Sequence, residues 1–190
     1  MNQQPKWLDA MCDLETAGLP PDGALMSIGV AFFDLNTCTI GPTFYRAVNL
    51  ATSVRDGGVI TPSTMLFWLA QSDEARKAVL YDTYDVRQVL TELAEFIAEH
   101  STVKDVRMWG NSPAFDLTIL GGAYRRADMR VPWSPFRERD FRTVRHMYPA
   151  IEYDTADKGK GEHNAIEDAK FQIAHLFKIK NRNKKEAANA

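Results

Sequence analysis

The stretch Asp13-Leu14-Glu15-Thr16 places two carboxylates two residues apart, directly after an apolar run that extends from Trp7 to Cys12. In an extended strand, residues i and i+2 project from the same face, so both acids point the same way. Neighbouring carboxylates repel each other unless a cation lies between them, and hard divalent ions such as Mg²⁺ prefer oxygen ligands. The pair therefore suggests a metal site. Taken alone, Asp-x-Glu on a strand is more often an ordinary solvated face.

The length and composition of the chain predict a single globular domain. Its 190 residues are enough for a core that needs neither a disulfide nor a structural metal. We expect one domain over residues 1–180 and a polar, frayed tail over residues 181–190. The net charge of −2 gives no global attraction to nucleic acid, so any such binding must come from a local basic patch.

No feature of the sequence predicts a membrane-spanning segment or a location in an oxidising compartment. No apolar stretch approaches the roughly 20 residues that span a bilayer, and residues 1–6 lack the apolar segment of a signal peptide. Cys12 and Cys38 fit neither a zinc pattern nor a disulfide framework. We therefore expect reduced thiols in a cytoplasmic protein that does not contact membranes.

The hydrophobic pattern predicts an α/β fold in which strands come first and helices follow. Residues 24–35 and 39–49 are predicted strands, with a bulge or edge feature at Gly41-Pro42, and residues 50–61 are expected to be irregular. Helices are predicted over residues 62–69, 73–81, 85–100, 113–126 and 164–180, with a strand at 103–109 and a short strand or helix at 140–147. This order indicates a mixed sheet with helices packed on it.

A third acid lies at a predicted helix start. If Ser112 is the N-cap and Pro113 the first helical residue, Asp116 falls one turn into the helix, next to the end of the preceding strand. Open α/β sheets bind their ligands at that position. An aspartate in a first turn also interacts well with the helix dipole without any ligand, so Asp116 by itself favours the structural interpretation.

The segment from His163 to Asp168 is more specific. Asn164 with Glu167 three residues later resembles a capping box, which makes His163 and Asp168 the two positions that face each other at the helix start. An imidazole and a carboxylate are an odd choice for packing. They suit a metal ligand beside a base, because histidine accepts a proton near neutral pH. The alternative is a surface histidine before an ordinary amphipathic helix, and the segment alone does not decide between the two.

Together these motifs resemble the DEDDh branch of the DnaQ-like 3′-to-5′ exonucleases, in the ribonuclease H-like superfamily. The family motif Asp-x-Glu-Thr-x-Gly matches residues 13–18, and His-x-Ala-x-x-Asp-Ala matches residues 163–169. An Asn shortly before Phe-Asp matches Asn111 with Phe115-Asp116, although three residues separate Asn from Phe where two is commoner. Within the family, the chain looks like the small phage and bacterial branch related to exonuclease VIII-like and actinobacterial exoribonuclease proteins.

The resemblance implies a ribonuclease H-like mixed sheet, in which an antiparallel meander and parallel strands are flanked by α-helices. It also implies that two Mg²⁺ or Mn²⁺ ions are bound and that His163 is the general base. The implied metal ligands are the carboxylates of Asp13, Glu15, Asp116 and Asp168. Such a site hydrolyses phosphodiester bonds at 3′ ends and releases nucleoside 5′-monophosphates.

Substrate contacts are expected beside the first motif and at exposed aromatic residues. The resemblance places Thr16, Gly18 and Leu19 next to the terminal nucleotide, and Asn111 against the strand. A base can stack on Trp68 or Phe67, although core packing explains at least one of the two better. The candidates for phosphate contacts form the only sustained basic excess in the body of the chain: Arg125, Arg126, Arg130, Arg137, Arg139, Arg142, Arg145, Lys158 and Lys160.

The expected substrate is a single strand or a 3′ overhang of DNA or RNA, with DNA slightly favoured. No motif records a contact to the 2′-hydroxyl that distinguishes the two. The rival hypothesis is a nuclease-fold module that binds nucleic acid without cutting it, and the complete set of acids and histidine favours the enzyme. The branch that the chain resembles contains homodimers, so a second copy of the chain is a candidate partner.

Overall fold

A six-stranded mixed sheet lies at the centre of the molecule. The computed structural model describes residues 7–153 and 163–188, with side chains as far as residue 184. The strands are β1 (Asp9–Thr16), β2 (Leu25–Asp34), β3 (Thr39–Val48), β4 (Thr83–Tyr84), β5 (Arg107–Gly110) and β6 (Arg139–Asp140), and they lie in the order β4-β3-β2-β1-β5-β6. The first three form an antiparallel meander, while β4, β5 and β6 each run parallel to a neighbour. The predicted fold class is confirmed.

Seven helices surround this sheet in the described part of the chain. They are α1 (Leu50–Arg55), α2 (Pro62–Leu69), α3 (Asp73–Leu80), α4 (Val86–His100), α5 (Asp116–Arg126), α6 (Phe141–Met147) and α7 (Ala165–Ala188). A 3₁₀ turn at Pro135–Arg137 precedes β6. Within residues 7–153 and 163–188, no helix combines the length and the apolar character needed to cross a bilayer.

Two predicted segments differ from the structure. The irregular segment expected at residues 50–61 contains helix α1, because the Asn49 side chain accepts hydrogen bonds from the backbone N–H of Ala51 and Thr52. The strand expected at 103–109 begins only at Arg107. Before it, Thr102 closes a turn with Asp105 through hydrogen bonds of 3.0 and 2.6 Å.

The ends of two further helices also differ. Helix α5 begins at Asp116 and not at Pro113, because the backbone N–H of Phe115 and Asp116 bond to the Ser112 carbonyl in a separate turn. Asp116 is therefore the first residue of the helix. Helix α7 continues to Ala188, so it includes residues 181–188 of the segment that the sequence assigns to a polar tail. The Asn183 side chain attaches this extension to the Tyr148 hydroxyl at 3.1 Å.

The two faces of the sheet carry separate apolar clusters. On β1, Ala10, Cys12 and Leu14 face the cluster formed with α4 and α5. Met11 faces the opposite cluster, where α6 and α7 pack. A third cluster, which includes Trp68, lies under α2 and α3. Strand alternation therefore determines which helix each β1 side chain meets.

The predicted irregularity at Gly41-Pro42 is present in β3. The pairing of β2 with β3 shifts between the pair Ala31–Thr43 and the pair Phe33–Ile40. Between these pairs β3 has one residue more than β2, which is a β-bulge.

Candidate active site

The two acids of the opening motif share the α7 face of β1. Asp13 and Glu15 continue the alternation begun by Met11, so they point toward α7 while their neighbours point toward α4 and α5. Glu15 is buried, with 7% of its surface exposed, and Asp13 is partly exposed. This is the orientation that the sequence predicts.

Helix α7 starts directly beside these acids because β2 carries a glycine there. Gly29 pairs with Asp13 across the sheet, and a Cβ atom at Gly29 would lie 2.3 Å from the backbone carbonyl carbon of Ala165. Any side chain at position 29 would push the start of the helix away from the sheet. The Asn164 side chain caps this helix by accepting hydrogen bonds from the backbone N–H of Ile166 and Glu167, at 3.2 and 3.4 Å.

The first and third motifs meet at this helix start. Ligand atoms of Glu15, His163 and Asp168 all lie within 4.8 Å of one another. His163 precedes the cap with a backbone φ of +59°, a conformation that turns the chain sharply into α7. Two carboxylates and one imidazole at such separations can bind one divalent cation.

Asp116 reaches the site from the other side of β1. It is buried, and its Oδ2 accepts a hydrogen bond of 2.8 Å from the backbone N–H of Asn111. Gly110 makes room for it, since a Cβ there would lie 3.1 Å from Oδ2. Burial raises the pKa of Asp116 to about 7, although the backbone N–H groups of Asn111 and Leu14 oppose the rise.

Asp13 lies at the electrostatic centre of the site. Although part of its surface is accessible, desolvation is the main reason that its pKa lies well above the usual value. The charges of Asp116, Glu15 and Asp168 raise it further, in that order of size. A hydrogen bond of 2.7 Å from Gln172 Nε2 to Asp13 Oδ1 opposes the rise.

The residues present fit divalent metal ions. Four carboxylates that disfavour one another's ionisation gain stability when cations bind among them, and their oxygen atoms are the ligands that Mg²⁺ and Mn²⁺ prefer. Two buried polar atoms beside the acids, Gln172 Oε1 and Asn111 Oδ1, have no hydrogen-bond partner among the described residues. Such atoms are acceptors that a metal-bound water or a substrate hydroxyl can use.

A comparison with protein families identifies the family to which this chain belongs. A family model described as the 3′-5′ exoribonuclease Rv2179c-like domain matches residues 8–179. The chain belongs to this family. The description of the Rv2179c-like family agrees with the predicted resemblance to DEDDh 3′-to-5′ exonucleases.

Solved structures share the fold of this Rv2179c-like domain at low sequence identity. Escherichia coli exonuclease I in a zinc-bound complex with single-stranded DNA has a TM-score of 0.69 and 15% identity over 94% of this chain and 41% of that chain. Exonuclease I with a dT13 oligonucleotide gives a TM-score of 0.69 and 15% identity over 95% and 42%. Cell-death related nuclease 4 gives 0.60 and 12% over 94% and 65%. The chain spans about two fifths of the exonuclease I chains, and no curated protein matches it.

The predicted substrate residues of the Rv2179c-like domain have different environments. Thr16 is buried, and its hydroxyl donates to the Gly18 carbonyl at 2.8 Å. Gly18 is required there, since a Cβ would lie 1.9 Å from the Val59 carbonyl oxygen. Leu19 is 52% exposed. Lys158 and Lys160 lie outside the described residues.

Of the two adjacent aromatic residues on α2, only Phe67 offers a ring to solvent. Trp68 is buried in the third apolar cluster, and its indole N–H donates to the Thr16 carbonyl at 2.8 Å. Phe67 is 44% exposed and its ring stands edge-on to the His163 imidazole, 5.1 Å between centroids. Trp68 therefore holds the first motif in place, while the exposed Phe67 contacts the histidine beside the acids.

Sequence reasoning missed one group at this site, the Gln172 side chain. Gln172 follows Asp168 by one helical turn, and that i,i+4 spacing is the signal that places both on one face of α7. Arg142, expected only as one of several basic candidates, donates to the Asn111 carbonyl at 2.8 Å. Of the other expected basic contacts, Arg126 forms an ion pair with Asp22.

Proposed function

We propose that the chain is a metal-dependent exonuclease that removes nucleoside 5′-monophosphates from the 3′ end of single-stranded nucleic acid. The observation that carries this proposal is that ligand atoms of Glu15, His163 and Asp168 lie within 4.8 Å of one another, beside the partly exposed Asp13 and the buried Asp116. Family membership supports degradation that starts at the 3′ end. A binding module without activity has no need for this costly concentration of carboxylates.

Two Mg²⁺ or Mn²⁺ ions would be held by Asp13, Glu15, Asp116 and Asp168. When bound, such ions activate water and neutralise the charge that develops on the phosphate and on the leaving 3′ oxygen. The protein's contribution is to hold the four carboxylates in place. Gln172 orients Asp13, and the backbone N–H of Asn111 orients Asp116.

His163 is the proposed general base. As the oxygen of the attacking water bonds to phosphorus, the imidazole takes a proton from it, and the bond from phosphorus to the 3′ oxygen breaks. The leaving 3′ oxygen takes its proton from solvent. The edge-on contact with Phe67 limits the orientations that the imidazole can adopt.

The terminal nucleotide would lie between the first motif and α2. The backbone at residues 16–19 is attached to the start of α2, because the Thr61 N–H donates to the Ala17 carbonyl at 3.0 Å. We propose that the terminal base stacks on Phe67 and contacts Leu19, both of which are exposed. Stacking of one base on an aromatic ring contributes about 1–3 kcal/mol and is indifferent to sequence.

RNA is the substrate that the comparisons favour. The family description names exoribonucleases, and this outweighs the slight preference for DNA drawn from the sequence. The exonuclease I structures that share the fold hold single-stranded DNA, so DNA also fits this fold. A contact to the 2′-hydroxyl would determine the preference.

Parallel time courses on 5′-labelled RNA and DNA oligomers test the proposed function. Each is offered with a 3′ overhang, a 5′ overhang and blunt ends, with Mg²⁺, with Mn²⁺ and with a chelator. We expect a ladder that shortens from the 3′ end, nucleoside 5′-monophosphates as products, faster loss of RNA, and no cleavage with the chelator. Intact substrate in both metals would leave the binding module as the better interpretation.

A second copy of the chain is the proposed protein partner. Residues 65–69 of helix α2 are all apolar, so apolar side chains point to every side of its second turn, and Leu66 and Leu69 are 68% and 69% exposed. Light scattering behind gel filtration tests this with the wild type and Leu69→Glu. A dimer that the substitution dissociates supports the proposal, and a wild-type monomer contradicts it.

We also propose a reducing, cytoplasmic location. The two cysteines, Cys12 and Cys38, are free thiols.

A further inference from the structure

One segment of this acidic chain is strongly basic. Residues 130–147 contain five arginines against two acids, whereas the whole chain has a net charge of −2. The two acids are engaged locally: Asp140 caps α6 by accepting from the Arg142 N–H at 2.9 Å, and Glu138 accepts from the Trp133 indole at 2.9 Å. Among the residues that the structure describes, the exposed Arg137 side chain has no hydrogen-bond or ion-pair partner.

The same segment presents a large aromatic ring to solvent. Phe136 is 92% exposed, more than any other large apolar side chain in the described chain. It lies on the 3₁₀ turn, which is closed by a hydrogen bond of 2.9 Å from the Arg137 N–H to the Ser134 carbonyl. Before the turn, Trp133 is buried against Tyr124, and after it the chain enters β6. The ring is thus displayed by a turn that is anchored on both sides.

This turn lies close to the candidate active site. In the sheet, Asp140 pairs with Gly110, which lies against the Asp116 carboxylate. Phe136 and Asp140 are four positions apart in the sequence, so their Cα atoms are at most about 14 Å apart. On α6, which follows β6, Arg142 donates to the Asn111 carbonyl at 2.8 Å. The same segment therefore carries both the exposed Phe136 ring and an arginine that contacts the backbone beside Asp116.

We propose that Phe136 and Arg137 form a second subsite that binds the part of the single strand lying 5′ of the scissile nucleotide. A base stacks on Phe136, and Arg137 contacts a phosphate. Single-strand binding sites combine these two contacts, stacking platforms and cationic side chains along one groove. The inference rests on the proposed function, because it takes the strand to have its 3′ end at the acids.

The alternative path for the strand runs past Asn164, where the charges are less favourable for a polyanion. A cavity of about 380 Å³ there is lined by Tyr81, Lys77 and Arg46, among others, and by Asn164 next to the general base. Arg46 is already paired with Glu92 at 2.7 Å. Helix α3, which carries Lys77, begins with two acids, and Asp82 also lines the cavity.

The dependence of activity on substrate length tests the second subsite. Wild type, Phe136→Ala, Phe136→Tyr and Arg137→Ala are compared on a dinucleotide and on a longer single-stranded RNA. Tyr81→Ala, which removes an exposed ring on the other route, is the matched control. Phe136→Ala should raise KM for the long RNA roughly 5- to 150-fold, with kcat unchanged, and should leave the dinucleotide unaffected. Phe136→Tyr keeps an aromatic ring, so its KM for the long RNA should equal that of the wild type.

Equilibrium binding separates this inference from the proposed function. Fluorescence anisotropy with the long RNA in the presence of a chelator needs no cleavage, so it reports on the subsite even if the wild type proves inactive. Arg137→Ala should weaken binding and reduce the slope of log affinity against log salt by about 0.7. Equal binding by the wild type, Phe136→Ala and Arg137→Ala would overturn the proposed subsite. A loss of binding confined to Tyr81→Ala would overturn it as well.

Discussion

Gln172 Nε2 donates a hydrogen bond of 2.7 Å to Asp13 Oδ1, and so connects helix α7 to strand β1 across 159 positions of sequence. The Gln172 side chain is buried, and its Oε1 has no hydrogen-bond partner among the described residues. The bond holds the carboxylate at the centre of the site in one orientation and limits the rise of its pKa. Residues that orient a metal ligand in this way commonly affect metal affinity without touching the metal.

Replacing Gln172 by methionine should therefore weaken metal binding. Methionine has a similar length and no donor, so Asp13 loses its orienting hydrogen bond while the core stays filled. We expect Mn²⁺ affinity, measured by titration calorimetry, to fall by about 10- to 100-fold. Gln88→Met, on the exposed face of α4, is the matched control. Unchanged affinity in Gln172→Met would show that Asp13 needs no such support.

Asp116→Asn should abolish cleavage without unfolding the protein. The amide keeps the shape of the carboxylate but removes its charge, and a lost metal interaction of about 4 kcal/mol slows the reaction on the order of 10³-fold. The metal-free variant should unfold at a temperature no lower than the wild type, because one of four mutually repelling acids is gone. Asp128→Asn, an exposed acid, is the control. Wild-type cleavage rates in Asp116→Asn would exclude this acid from the site.

The stabilisation by metal should increase with pH. The folded, metal-free protein holds the pKa of Asp116 at about 7, above its value in the unfolded chain. The stability that this group contributes is therefore present at acidic pH and is lost as pH rises through about 7. A divalent ion must displace the proton, so Mg²⁺ should raise the melting temperature more at about pH 8 than at about pH 6. A larger shift at the lower pH would contradict the assignment, and Asp116→Asn should show a weaker pH dependence.

Gly29→Ala should destabilise the fold and disturb the site together. The added Cβ would meet the backbone of Ala165 at 2.3 Å, and only a displacement of the α7 start can relieve that contact. We expect a loss of about 1–3 kcal/mol in the free energy of unfolding, measured in urea, together with weaker metal binding. Gly121→Ala on α5 meets only the end of a flexible arginine at 3.4 Å, so it should be neutral or stabilising. Equal stability of both variants would remove the steric role of Gly29.

Local rules explain what the sequence predicted correctly. The common direction of Asp13 and Glu15 follows from strand alternation, and the Asn164 cap follows from side-chain chemistry within four residues. The predicted start of α5 is wrong because the backbone N–H groups of Phe115 and Asp116 close a separate turn on the Ser112 carbonyl, which residue spacing alone does not show. The extension of α7 likewise depends on a distant partner, Tyr148.

Hydrophobic periodicity does not predict whether Phe67 or Trp68 is the buried ring. Helix α2 has apolar residues on every side, so no stripe indicates which side faces the core. Trp68 is buried because its indole N–H reaches the Thr16 carbonyl, a contact between residues 52 positions apart. Only the packed structure reveals that Phe67 is the ring available for stacking.

The convergence of the four carboxylates on shared metal ions is tested most directly by anomalous diffraction from crystals soaked in Mn²⁺. The expected result is two manganese peaks about 3.5–4 Å apart, bonded to oxygen atoms of Asp13, Glu15, Asp116 and Asp168. The same crystals soaked in chelator should lose both peaks. Manganese bound only at other positions, or no peak among these acids at saturating Mn²⁺, would contradict the account.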